Sequence, residues 1–273
     1  MERFLMFSET YKKAGTEFGS GVLSDPDIEK LKINPRENFI KAIQKMDAAT
    51  CLIKTAEIHG HFCPGSALGV MASLYGLSLL GDEGINSDGI MENLLGIVEI
   101  NACFADGVQA VSGCTLGNNS LIYRDLGKLA VTFAIRGKEN AVRVKVLPEF
   151  KKYIDEAVPE FFPLMEKVIM RREGNPGDEM RFKETGREAA FSITKIPFEN
   201  LFSAEKILPD IPDYAPISDS VLCNRCGEPV MVSKVWKSGP QEGMCFMCSG
   251  KYSEVEGRGI VEKSSLIRKA THD

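Results

Sequence analysis

Two Cys-x-x-Cys pairs, Cys223/Cys226 and Cys245/Cys248, separated by eighteen residues, constrain the fold of this 273-residue chain more tightly than anything else in it. One divalent ion takes four thiolates in tetrahedral array, and each pair supplies two from one tight knuckle. Gly227, directly after the first pair, permits the left-handed turn that aims backbone N–H groups at sulfur. The apolar stretch 229–236 and the Gly239-Pro240 turn predict a hairpin that brings the pairs together. A segment of roughly fifty residues has too little core to fold alone, so a structural zinc is expected to supply much of its stability. Two matched pairs argue against a redox dithiol, and their spacing suits ferredoxin clusters poorly. Trp236 is expected to pack beneath the site rather than stack on a base. The tail from residue 217 is close to neutral and the whole chain carries −5. Docking to protein is therefore favoured over nucleic acid.

The stretch DIPDYAPISDS at 210–220, with its prolines and aspartates, reads as a linker. It divides the chain into a core at 1–209 and a four-Cys zinc domain at 221–273. No apolar run is long enough for a bilayer span, and the N-terminus lacks the pattern of a signal peptide. A cytoplasmic, reducing setting is expected, which agrees with cysteines used for metal rather than disulfides.

HGHFCPGSALG at 59–69 is the second constraint. In an extended segment His59, His61 and Cys63 point to one face. Pro64 suits the first position of a helix, and the apolar spacing that follows runs to about Gly81. Cys63 then sits at a helix N-terminus beside imidazoles, where the thiolate is favoured.

The rest of the core reads as α+β with antiparallel strands. Residues 1–34 predict an arm or surface helix, with a turn at 24–27. Asn34-Pro35 predicts a helix start with Phe39, Ile43 and Met46 on its face. A helix is predicted over 48–58 with Cys51 buried, and a loop over 81–89. A strand follows at 94–100, then a short helix from Cys103, ended by Gly113 and carrying Cys103, Asp106 and Ala110 on one face. The loop after Cys114 and Thr115 has no Gly-Lys-Ser/Thr, so Walker-type phosphate binding is not expected. Residues 128–135 and 141–146 predict an antiparallel hairpin. An amphipathic helix over 148–172, with Phe150, Ile154, Val158, Phe161, Met165 and Ile169 buried, should bend or split at Pro159 and Pro163. A turn at 175–178 and short helices over 181–208, including 198–208, complete the reading.

His59, His61, Cys63 and Cys103 form a two-nitrogen, two-sulfur donor set that suits zinc, nickel or iron, with Cys114 and Asp106 as alternates. An open coordination position would let such an ion activate water or bind a substrate sulfur. An independent hydrolase is disfavoured, because few carboxylates accompany the set.

HGHFCPGSALG, followed by CFADGVQAVSGCTLGNNSLIYRDLGK, resembles the FmdE-like family of formylmethanofuran dehydrogenase components, over roughly residues 39–168. The four-Cys module resembles the C-terminal treble-clef zinc finger of some members. The resemblance implies an α+β core, commonly an intertwined homodimer, with a cleft near the His/Cys motif. It also implies association with the molybdenum or tungsten oxidoreductase that fixes carbon dioxide onto methanofuran in methanogens, although members occur outside methanogens. The motif positions carried over are His59, His61, Cys63, Pro64, Gly65, Cys103, Asp106, Gln109, Gly113, Cys114, Thr115, Asp125 and Lys128. Among them, Cys63, His61, Cys103 and Asp106 are expected to be reactive, and Gln109, Cys114, Thr115 and Lys128 to face a cofactor. The chain departs from the pattern at Gly117-Asn118, where many relatives have Gly-Lys, and at Ser66, where many have leucine.

Overall fold

The computed structural model describes residues 25–85 and 90–264. Its core is a five-stranded mixed sheet: β1 (Leu94–Val98), β2 (Leu121–Tyr123), β3 (Ala130–Ile135), β4 (Ala141–Val146) and β5 (Phe202–Ile207), in the order β2-β1-β3-β4-β5. β1 and β2 run parallel, and every other neighbouring pair is antiparallel. β1 and the β3–β4 hairpin lie where the β-branched runs predict them.

The helices are α1 (Asp25–Ile33), α2 (Glu37–Gln44), α3 (Ala48–His59), α4 (Pro64–Leu80), α5 (Asp82–Ile85), α6 (Cys103–Ser112), α7 (Phe150–Ala157), α8 (Phe161–Met165), α9 (Pro176–Ile193) and α10 (Phe198–Leu201). A π-turn, Glu166–Met170, continues α8. α4 is the central element. Its buried residues include Ala67, Leu68, Val70, Met71, Ala72 and Leu74, so it is apolar on nearly every side, as a core helix must be. It packs on β3 and β4. Gly76 makes that contact: a Cβ there would come within 2.6 Å of the Phe133 ring. Cys51 is fully buried in α3, as expected.

Several local expectations are corrected. α2 begins at Glu37, not at Asn34-Pro35, because Asn34 closes a turn instead: its carbonyl accepts from Glu37 N–H at 3.2 Å. Met46 lies beyond α2, at φ +54. Residues 25–27 of the turn read at 24–27 belong to α1, since proline is tolerated in a first helical turn. Residues 175–178 start α9: Asn175 Oδ1 accepts from Asp178 N–H and Asp178 Oδ2 accepts from Asn175 N–H, both at 3.0 Å, a capping box. Asn-Pro-Gly-Asp serves a turn or a helix start equally well, and the long helix behind it decides.

The segment 148–172 splits after Ala157, with Pro159 in the gap, while Pro163 sits in the first turn of α8, where it breaks no bond. Ile169 is exposed rather than part of the buried stripe. Residues 198–208 form one helical turn and then the edge strand β5, because the free edge of β4 takes up their backbone groups. The loop read over 81–89 contains α5; residues 86–89 and residues 1–24 of the arm lie outside the described residues. Among the described residues no helix is long and apolar enough to cross a membrane.

The C-terminal part holds β6 (Ser220–Leu222), β7 (Pro229–Met231), α11 (Phe246–Ser249), β8 (Tyr252–Glu256) and β9 (Gly259–Lys263). β6 pairs with β7 and β8 with β9, both antiparallel.

Candidate metal centre

The centre is built where two helices begin side by side. α3 ends at His59, and Gly60, at φ +85, turns the chain away. His61 and Phe62 follow, and Cys63 caps α4. The three donors are therefore not in one extended run, as the spacing suggested; a helix end, a left-handed glycine and a cap bring them together. Cys103 is the first residue of α6.

α4 and α6 cross with almost no side chain between them. A Cβ on Gly69 would lie 2.1 Å from Phe104 O, and one on Gly107 2.4 Å from Ser66 O. A Cβ on Gly65 would lie 3.0 Å from Cys103 Cβ. Glycine here is a packing requirement that fixes Cys63 next to Cys103. As a result one ligand atom from each of His59, His61, Cys63 and Cys103 lies within 4.8 Å of all the others.

Asp106, one turn along α6, bonds through Oδ2 to His59 Nδ1 at 2.6 Å. This fixes the ring so that Nε2 faces Cys63 Sγ, at 3.6 Å. The contact with Cys103 and the N–H of Ser66, 3.4 Å away, hold the Cys63 thiol well below its usual range. The same contact pushes the Cys103 thiol up. Burial lowers the His59 pKa, but the bonds to Asp106 and Cys63 outweigh it and leave it raised. Two thiols and two imidazoles this close together fit a divalent ion of intermediate softness, which would take all four donors deprotonated.

Cys114, Thr115 and Asp125 make their contacts in other parts of the core. Cys114 is buried and its thiol donates to Leu94 O at 3.4 Å. Thr115 and Asn118 close their own loop, Thr115 N–H donating to Asn118 Oδ1 at 2.8 Å, while Asn118 Nδ2 donates to Gly113 O at 2.9 Å. Asn118 thus serves as a loop brace. Gln109 accepts from Gly113 N–H through its carbonyl, and Lys128 donates its backbone N–H to Glu99 O. Asp125 accepts from Tyr123 OH at 2.6 Å and from Ile260 N–H at 2.9 Å, tying the β8–β9 hairpin to the core. Asn101, two residues before Cys103, adds a second tie, its Nδ2 donating to Glu256 O at 2.6 Å.

Sequence reasoning missed Arg36. Its guanidinium donates to Ala110 O at 3.0 Å and Val111 O at 2.7 Å, capping the C-terminus of α6. An Arg just before a helix gives no sign of serving the end of another one. A cavity of about 800 Å³ adjoins the centre, reached by His61 and Cys63 and walled by α9 and the π-turn.

In the C-terminal part, Cys223, Cys226, Cys245 and Cys248 also bring their sulfurs within 4.8 Å of one another, so this cluster could hold a metal ion such as zinc. Gly227 takes the expected left-handed turn, at φ +72. The N–H of Cys245 donates to Cys223 Sγ and that of Cys248 to Cys245 Sγ, each at 3.3 Å. The backbone N–H groups of Cys226, Cys245 and Arg225 hold the Cys223 thiol below its usual range. Trp236 packs edge-on against Phe246, the first residue of α11, at 5.9 Å. A knuckle, a hairpin and a short helix opening with the second pair make a treble-clef-like arrangement.

A family model described as "FmdE, Molybdenum formylmethanofuran dehydrogenase operon" matches residues 58–203. A "Probable S-adenosyl-L-methionine-binding protein" of Archaeoglobus fulgidus is 41% identical over 231 residues, covering 84% of this chain. The chain spans 61% of the length of that relative. An FmdE-like protein of the tungsten formylmethanofuran dehydrogenase type, from Syntrophus aciditrophicus, has a TM-score of 0.48 and 20% identity, over 74% of this chain and 92% of that one.

Proposed function

This chain belongs to the FmdE family, and we propose on that basis that it is a metal-carrying accessory protein with two metal centres of different purpose. The core centre, His59, His61, Cys63 and Cys103, holds a zinc, nickel or iron ion that faces a ligand cavity. The Cys223/Cys226/Cys245/Cys248 centre holds a structural zinc. The observation that supports this most is the convergence of four soft and borderline donors, from two segments forty residues apart in sequence, 59–63 and Cys103, within 4.8 Å. A divalent ion there would supply Lewis acidity and affinity for sulfur. The chain's own part is to hold His59 through Asp106, to keep Cys63 as a thiolate, and to expose His61 to the cavity.

The partner in this reading is a molybdenum or tungsten oxidoreductase of one-carbon metabolism, and the working form is a homodimer. The name of the Archaeoglobus relative is not carried over, because the match spans 61% of that protein's length. A stand-alone docking protein is the second reading, with the zinc module meeting a protein or, less favoured, nucleic acid. The ties from Asp125 and Asn101 to the β8–β9 hairpin weigh against it, because they commit part of the module to its own core.

Metal analysis of the purified full-length chain tests the proposal. Two equivalents are expected, falling to one in Cys63→Ser with zinc retained, and to one in Cys226→Ser with the core ion retained. Unchanged stoichiometry in Cys63→Ser overturns the core centre. Copurification with a large molybdenum or tungsten enzyme from the native cell supports the accessory role, and a free dimer supports the second reading.

A further inference from the structure

The cavity beside the core centre carries a charge pattern that metal binding does not use. Its volume, about 800 Å³, is that of a site for a small organic molecule. One wall is a single stripe of α9, with Glu179, Phe182, Lys183, Gly186 and Arg187 at helical spacing. The facing wall is the π-turn, through Val168 and Ile169, followed by Arg172 at φ +59. Such turns are frequent at binding sites because they re-aim side chains without ending the helix.

Neighbouring cations are neutralised by carboxylates. Arg181, off the stripe, bonds to Glu160 and Glu184; Lys167 pairs with Asp178 and Arg171 with Glu166. Among the described residues, the three cations that line the cavity, Arg172, Lys183 and Arg187, have no carboxylate within ion-pair distance. Lys183 and Arg187 are moreover like charges one turn apart, an arrangement that weakens a helix unless something neutralises it. Glu179 supplies one negative charge against three positive ones. Phe62, Phe161 and Phe182 give the cavity apolar surface beside these charges.

We propose that this cavity binds a small organic oxyanion with a ring-sized apolar body. Lys183, Arg187 and Arg172 bind the anionic end, the phenylalanines bind the body, and the far end is turned toward His61 and Cys63. The last clause rests on the core-metal reading; the binding of the anion does not.

The test uses anilinonaphthalene sulfonate, an aromatic oxyanion, titrated into the metal-loaded full chain and read by fluorescence. N-phenylnaphthylamine, the same rings without the sulfonate, is the neutral control. Lys183→Gln/Arg187→Gln is expected to weaken sulfonate binding about tenfold or more and to leave the neutral probe within about twofold. Glu179→Gln is expected to tighten the sulfonate. Phenylacetate or phenyl phosphate should displace it, and the stronger competitor tells a carboxylate ligand from a phosphate. Equal effects of the double variant on both probes, or displacement by neither competitor, overturn the proposal. All three substituted side chains are exposed, and an unchanged unfolding temperature verifies that the variants are folded. The same titration on Cys63→Ser separates the two readings. Unchanged metal content with charge-dependent sulfonate binding removes the metal centre and keeps the anion site; lost metal with charge-independent binding does the reverse.

Discussion

At the scale of single residues, Asp106 and Glu99 show two uses of one carboxylate chemistry. Asp106 fixes which nitrogen of His59 faces the centre. Asp106→Asn should keep the fold and lower core-metal affinity by about 10- to 100-fold, measured by competition with a chromophoric chelator, with the four-Cys centre unchanged. Glu99, 5% exposed, accepts from Arg143 Nε at 2.7 Å and Nη2 at 2.8 Å. That fork holds its carboxyl below the usual range. A depressed folded value means stability that is present above the unfolded value of about 4.3 and lost as pH falls through the folded one. Wild-type unfolding temperature should therefore drop more steeply than that of Glu99→Gln between about pH 5 and pH 3. At neutral pH the variant should be less stable by about 2–4 kcal/mol, because Arg143 loses its most buried partner. Parallel slopes would show that Glu99 contributes nothing to acid stability.

At the scale of elements, the crossing of α4 and α6 decides whether the centre exists. Gly69 and Gly107 lie at the contact, and each added Cβ would overlap backbone of the other helix. Gly107→Ala should destabilise the chain by about 2 kcal/mol or more and push the helices apart. Core-metal affinity should fall although no ligand is changed, since Cys63 and Cys103 are carried at the ends of those two helices. Normal metal content and stability in this variant would show that the crossing can relax. The helices themselves were legible from sequence. Pro64 and Gly81 bracket α4, and Gly113 ends α6, each by a local rule that needs no tertiary contact. β5 was not legible, because its backbone partners come from β4, some sixty residues earlier, and a short mixed segment takes the form its neighbour offers.

At the scale of the whole molecule, the question is how the four-Cys module relates to the core. We propose a boundary in residues 210–219, a stretch that forms no helix or strand although Arg124 and Arg136 bond to Asp210 and Pro212 within it. Chelation of the four-Cys ion should unfold the module while the core keeps its melting transition, and protease should then cut near 210–219. A single transition that moves as a whole would show one cooperative unit. By itself, the sequence determined the two cysteine pairs, the start and end of α4, the end of α6, the β3–β4 hairpin and the family, because each rests on residues close along the chain. Only the tertiary structure decided that His59 is steered by Asp106, that Arg36 caps a distant helix, and that Arg172, Lys183 and Arg187 line the cavity beside Cys63. Those facts depend on which helices cross and at what distance, and that is fixed by close packing between segments whose separation in sequence carries no signal of their contact.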